Sequence, residues 1–188
     1  TSTLTITVTG TNDAPIAVAD VGTTSENVTL VVGAVSGVLS NDTDLDTSDT
    51  HTVSAVNGLT ANVGAGVAGS AGGTFTIAAD GSYTFNPGTA FDDLAVGESR
   101  TTSVTYTNSD NNGGSSTSTL TITVTGTNDA PVAVADVGTT SENVTLVVGA
   151  ASGVLSNDTD LDTSDTHTVS AVNGLAANVG AGVAGSSG

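Results

Sequence analysis

Residues 3–9 read Thr3-Leu4-Thr5-Ile6-Thr7-Val8-Thr9, and the same letters return as Thr119-Leu120-Thr121-Ile122-Thr123-Val124-Thr125. Strict alternation puts Leu, Ile and Val on one face and Thr on the other, the pattern of a half-buried β-strand. Each copy runs into a short polar breaker, Gly10-Thr11-Asn12-Asp13-Ala14-Pro15 or Gly126-Thr127-Asn128-Asp129-Ala130-Pro131. Gly and Pro stop a strand there. The repetition extends well beyond these segments. Residues 1–72 reappear as residues 117–188, and only Ile16/Val132, Val35/Ala151, Thr60/Ala176 and Ala71/Ser187 differ. The shift of 116 residues is too long for a solenoid turn or a propeller blade and fits an autonomous β-sandwich.

Boundaries at the two breakers give one complete domain, residues 14–127. Residues 1–13 are then the last strand and linker of a preceding repeat, and residues 128–188 the first part of the next. Neither flanking piece closes a sandwich alone, because residues 73–116 occur once. Within the complete domain, strands are expected at 16–21, 28–32, 52–56, 74–78, 82–86, 101–107 and 117–125. Asp80-Gly81 supplies a hairpin turn. No window keeps helical periodicity over several turns. The expected fold is all-β, an immunoglobulin-like Greek-key sandwich of about seven strands in tandem array. Phe75, Tyr83, Phe85, Phe91 and Tyr106 are the only aromatics, so the core is small and aliphatic. Such a core is marginal without a further staple.

Charge narrows the function. The formal net charge is −18 and Arg100 is the single Lys or Arg. A polyanion of this kind is repelled by nucleic acid and by anionic membrane surfaces, which leaves cations as natural partners. There is no cysteine, so disulfides and thiolate metal sites are excluded, and metal ions are an alternative staple. No apolar run approaches ~20 residues, the length of a bilayer span. High charge can signal disorder, but the apolar residues fall in short alternating runs that argue for folding.

The acids gather in connections, while the solvent faces of the strands carry Thr and Ser. Asp42, Asp44, Asp46 and Asp49 crowd one loop, Asp92 and Asp93 another, Asp110 opens Asp-Asn-Asn-Gly-Gly, and Asp13 lies in the linker. Carboxylates this close repel unless a hard divalent cation compensates them. Calcium takes six to eight oxygen ligands in flexible geometry, whereas magnesium keeps its waters and zinc wants His or Cys. The alternating run Asp42-Thr43-Asp44-Leu45-Asp46 can turn its side chains onto one ion if the loop curls.

Val38-Leu39-Ser40-Asn41-Asp42-Thr43-Asp44-Leu45-Asp46, the Asp110 loop and the closing Val-Thr-Gly-Thr-Asn-Asp-Ala-Pro resemble VCBS and bacterial cadherin-like repeats. Such repeats occur in giant adhesins of Gram-negative bacteria, often secreted by the RTX type I route. The resemblance implies a cadherin-like, calcium-binding extender domain on the bacterial cell surface, with several ions per repeat. It also implies ligands. Glu26, in Ser25-Glu26-Asn27, corresponds to the Glu-Asn near the start of a cadherin domain. Asp42 and Asp44, with Asp46 beside them, correspond to the Asp-x-Asp loop, and Asp92 or Asp93 to the Asp-Arg-Glu stretch. Asp110 corresponds to the Asp-Gly turn, and Asn12-Asp13 or Asn128-Asp129 to the linker. In the second copy the matching residues are Glu142, Asp158, Asp160 and Asp162. The linker departs from the cadherin pattern, with Gly10 and Gly126 in place of its first Asp and Ala14 and Ala130 in place of its last Asn.

Other chemistries fit poorly. Thr ranks on one strand every 116 residues are no ice-binding array, since Thr is simply a good exposed strand residue. Asp92-Asp93 has no nucleophile or oxyanion donors beside it, and His51 and His167 are one position seen twice, so enzymatic chemistry is not expected. A calcium-dependent module that itself binds sugar or protein is the alternative, though the chain lacks Trp and offers few aromatic platforms. The expected partners are neighbouring repeats of the same chain. No nucleic acid, membrane insertion or small-molecule substrate is expected, and a monomeric rod is expected in solution.

Overall fold

The computed structural model describes residues 1–185. It divides into two units, Thr1–Thr127 and the stretch from Asn128 onward. The first unit contains eight strands: β1 (Asp20–Ser25), β2 (Leu30–Val32), β3 (Thr52–Val56), β4 (Gly66–Ala68), β5 (Thr74–Ile77), β6 (Tyr83–Asn86), β7 (Ser99–Ser109) and β8 (Ser115–Thr125). They form two four-stranded sheets, ordered β1-β8-β7-β3 and β2-β6-β5-β4. The helical content is limited to single 3-10 turns. This is an all-β sandwich with an immunoglobulin-like and cadherin-like arrangement.

Period-two alternation builds the core. Leu120, Ile122 and Val124 of β8 are fully buried, as are Val53, Val56, Val104 and Tyr106 of the same sheet. They pack against Phe75, Ile77, Tyr83 and Phe85 of the other sheet in one cluster. The Phe75 and Phe85 rings lie 4.6 Å apart, and Phe91 meets Phe85 edge-on. β1 joins β8 in parallel, Asp20 opposite Leu120 and Ser25 opposite Thr125, while β7 and β8 form a long antiparallel hairpin. Asp80-Gly81 turns β5 into β6: Gly81 has φ +84 and Asp80 Oδ1 accepts the Ser82 N–H.

Two expectations shift. The strand expected at 16–21 forms later, at 20–25, because the backbone N–H groups before it are taken by side chains. Ala17 donates to Ser116 Oγ and Val18 to Asp42 Oδ1, each at 2.8 Å. β4 was not anticipated, since Gly66-Val67-Ala68 lies in a Gly- and Ala-rich stretch with little strand character. Residues 3–9, expected as the last strand of a preceding repeat, form no ladder with the complete domain. A strand needs a partner for its backbone groups, and Leu4, Ile6 and Val8 remain 84%, 72% and 87% exposed.

Among its described residues the second unit has no strand. It keeps isolated bridges between Val132 and Thr159 and between Val172 and Leu175, with 3-10 turns at Ala150–Ser152 and Ala176–Asn178. Residues 128–188 correspond to residues 12–72 of the first repeat, the part that precedes β5.

Candidate metal centre

The alternation that fills the core also delivers a polar group to the end of the sandwich. Along the inward face of β7 the order is Thr102, Val104, Tyr106 and Asn108, and the next inward position is Asp110. Asp110 is therefore fully buried where the β7–β8 turn meets the loop between β2 and β3. Its Oδ1 accepts the N–H groups of Asn112 at 2.7 Å and Gly114 at 3.0 Å, and its Oδ2 accepts Asn12 Nδ2 at 2.9 Å. The Asn12 hydrogen bond, helped by the turn's N–H groups, holds the Asp110 carboxyl below the usual carboxylate range despite burial. It stays ionised at neutral pH.

Oxygens of Asp44, Asp49 and Asp110 lie within 4.8 Å of one another, and among the described residues no other three acids or histidines meet this closely. The Asp44 side chain is 4% exposed. Its Oδ2 and that of Asp49 are buried without a hydrogen-bond partner. His51 Nε2 stands 3.3 Å from Asp44 Oδ2 and pairs with it as an ion only when protonated. At an effective dielectric of ~20, each pair of charges at this spacing costs about 3 kcal/mol. Arg100, the single fixed positive side chain, is engaged elsewhere. Buried carboxylate oxygens converging on one point, with only the imidazole of His51 beside them, fit a hard, oxygen-preferring divalent cation. Asp44, Asp49 and Asp110 would hold it.

Asp42 and Asp46 have other tasks. Asp42 Oδ1 accepts the Val18 N–H and Oδ2 accepts Asn108 Nδ2 at 2.9 Å, while Tyr106 Oη donates to Val18 O at 2.8 Å. Asp42 thus staples the acidic loop to β7 and to the lead-in to β1. Asp46 Oδ2 accepts the Asp13 N–H at 2.7 Å, and Asp44 Oδ1 accepts the Asp46 N–H. Asn12 and Asp13 are therefore tied to the acidic end of the domain they precede. Asp20 lies near Asp42 and Tyr106. Burial first, and the Asp42 charge after it, push its carboxyl up to about 6.

The opposite end is arranged differently. Glu26 is 1% exposed, its Oε1 accepts the Thr127 N–H at 2.8 Å, and its Oε2 has no hydrogen-bond partner. Asp93 is held by Arg100 in a two-pronged pair, which lowers its carboxyl below the ordinary range. The same guanidinium donates to Ala90 O and lies 5.8 Å from the Phe91 ring centroid. Asp92 is half-buried. Gly126 explains one departure from the cadherin linker: a Cβ there would stand 2.0 Å from Leu94 O, so no acid fits. Ala14 packs against Gly114, whose own Cβ would meet Ala14 Cα at 2.8 Å.

The second copy preserves the local half of the acidic loop. Val134 N donates to Asp158 Oδ1, Asp129 N to Asp162 Oδ2 and Asp162 N to Asp160 Oδ1, while His167 Nε2 lies 3.2 Å from Asp160 Oδ2. Asn128 Nδ2 donates to Asp129 O, and Glu142 is exposed. These bonds need only residues 128–167, whereas the Asp110 contribution has no counterpart there.

The family model described as "Bacterial cadherin-like domain" matches residues 12–126. The chain belongs to this family. Its sandwich, its acidic end and its Asn-Asp linker are thus parts of a cadherin-like repeat, and the matched residues fall within the first compact unit. The family is a repeat-domain family rather than an enzyme family. A comparison with curated proteins finds no match. Among the described residues, no helix is long and apolar enough to cross a membrane.

Of the sequence-derived ligands, the structure brings together Asp44 and Asp110. It places Asn12 on Asp110, puts Asp42, Asp46 and Asp13 in the surrounding hydrogen-bond frame, and sets Glu26 and Asp93 at the other end. Asp49 was absent from the ligand set. The signal was its place in the same loop, where its N–H donates to Asp46 O at 2.9 Å and turns the chain back toward Asp44.

Proposed function

We propose that this cadherin-like repeat is a calcium-binding extender of a giant extracellular bacterial adhesin, projecting an adhesive domain from the cell surface. Cadherin-like domains generally bind calcium and are typically parts of extracellular surface proteins. The observation carrying the reading is the convergence of the buried Asp44 and Asp49 oxygens on Asp110, with His51 beside Asp44 and no fixed positive charge to offset them. Calcium supplies compensating charge there, and this chain's residues supply the frame. Asp42 and Asn108 fix the loop on β7, and Asn12 brings the linker onto Asp110. Ion binding thereby stiffens the linker as well as the domain, and near-identical neighbouring repeats are the structural partners. Extracellular modules bind calcium at ~10⁻⁴–10⁻³ M, which leaves them empty in the cytoplasm and loaded outside. Secretion by a type I route accords with such late folding.

Calorimetric titration of the chain with calcium tests the reading, with Asp49→Asn as the diagnostic variant. Saturable millimolar-range binding that Asp49→Asn weakens is expected. Identical heats for the two proteins would remove this cluster from the site.

A further inference from the structure

The complete domain contains two Asn-Gly pairs, Asn57-Gly58 and Asn112-Gly113. Both lie in turns, but the two asparagines are held very differently. Asn57, in the turn after β3, has φ +47. Its N–H donates to Thr105 O at 2.9 Å, and its Oδ1 accepts the Thr105 N–H at 2.9 Å. Backbone and side chain are thus both clamped to β7.

Asn112 lies in the turn between β7 and β8, where Asn111, Asn112 and Gly113 are all exposed. The turn is anchored on either side of its side chain. Asn111 Nδ2 donates to Thr50 O at 2.8 Å, and Asp110 Oδ1 accepts the N–H groups of Asn112 and Gly114. Among the described residues the side-chain amide of Asn112 has no hydrogen-bond partner. Gly113 has φ +111, and a Cβ built on it would meet nothing within 4 Å. The space beside the Gly113 nitrogen is therefore open to the neighbouring side chain.

We propose that Asn112 is a site of spontaneous deamidation, with the main chain itself as the nucleophile. The Gly113 nitrogen gives up its proton and bonds to Asn112 Cγ. The Cγ–Nδ2 bond breaks, and ammonia leaves with that proton. Water then opens the resulting succinimide, at the Cγ carbonyl to give aspartate or at the main-chain carbonyl to give isoaspartate. Water is the only co-reactant. Ring closure requires a free Asn side chain followed by a residue without Cβ, and Asn112-Gly113 meets both conditions. Asn57 must first surrender its bonds to Thr105, which raises its barrier. Either product puts a new negative charge two residues from Asp110. Isoaspartate also lengthens the main chain between the two N–H groups that hold Asp110 Oδ1. The reaction thus ages the turn that presents Asp110. Its effect on ion binding rests on the proposed calcium site: aged protein is expected to bind calcium more weakly than fresh protein.

Prolonged warm incubation of the chain at neutral pH, followed by peptic digestion and mass spectrometry, tests the proposal. The Asn57 peptide is told from its near-identical copy around Asn173 by Thr60 in place of Ala176. In the folded chain, conversion at Asn112 is expected to outpace conversion at Asn57 at least about tenfold. In denaturant the two pairs should react at similar rates, since the clamp on Asn57 is gone. Asn112→Gln, whose ring closure would be six-membered, should stay intact over the same period. No conversion at Asn112, equal rates at both pairs in the folded chain, or the same preference in denaturant would overturn the proposal. The peptide maps stand whether or not the chain binds calcium. A fresh chain that takes up no calcium would sink the calcium site and leave the deamidation in place.

Discussion

At the scale of the residue, one run of alternating acids divides its labour by where each side chain lands. Asp44 turns toward Asp49 and Asp110, whereas Asp42, two residues earlier, is consumed by Val18 and Asn108. The two positions should therefore fail differently. Asp49→Asn or Asp44→Asn is expected to weaken calcium binding at least about tenfold, ~1.4 kcal/mol, and to leave the metal-free fold unharmed or stabilised by reduced repulsion. Asp42→Ala is expected to cost ~2 kcal/mol in metal-free protein, since it strands the buried Asn108 amide. Denaturant melts in chelator and calcium titrations separate the two. Asp20 gives a pH signature. Its folded-state carboxyl is raised from 3.8 to about 6, so it contributes stability below pH 3.8 that is lost as pH rises through about 6. Asp20→Asn is expected to stabilise the metal-free domain at pH 7 by about 1 kcal/mol after allowance for solvent screening, and to flatten the pH dependence of melting between those values.

At the scale of the element, the β7–β8 hairpin decides both core and site. Its inward positions run from Val104 and Tyr106 in the core to Asn108 and Asp110 at the end, so one register serves both packing and the proposed cation site. The turn closing the hairpin has little room for change. A Cβ at Gly114 would stand 2.2 Å from Asp110 Oδ2 and crowd Ala14, so Gly114→Ala is expected to cost ~1–3 kcal/mol and to reduce calcium affinity, read by melting and titration. Alternation was legible in sequence wherever the face was unambiguous: Leu120, Ile122 and Val124 were placed inward by pattern alone. Asp80-Gly81 was legible for the same local reason. Residues governed by tertiary partners were not. The start of β1 moved because side chains from distant parts of the chain took its preceding N–H groups. β4 has a single branched residue, Val67, between Gly66 and Ala68, too little to announce it. Asp49 joins Asp44 only through the curl of the loop, and Arg100 captures Asp93 through a contact that spacing does not reveal.

At the scale of the whole molecule, the acidic residues are an organised load. The hydrogen bonds around Asp158, Asp160 and Asp162 join residues within 129–162, whereas the cluster around Asp110 draws on the β7–β8 hairpin as well as the acidic loop. Cation binding at the proposed site would be coupled to closure of the sandwich, because Asp44 and Asp49 come from one loop and Asp110 from a hairpin far along the chain. Any ion that binds only the closed form stabilises it by mass action, ~2.7 kcal/mol at a hundredfold excess over Kd. For a domain of this size that corresponds to a rise of about 10 °C in melting temperature. The most direct measurement is thermal unfolding of the chain in millimolar calcium and in chelator, alongside the Asp49→Asn variant. The account predicts a calcium-dependent rise of about that size in the native chain and a much smaller one in the variant. Equal melting temperatures with calcium and with chelator in the native chain would contradict it.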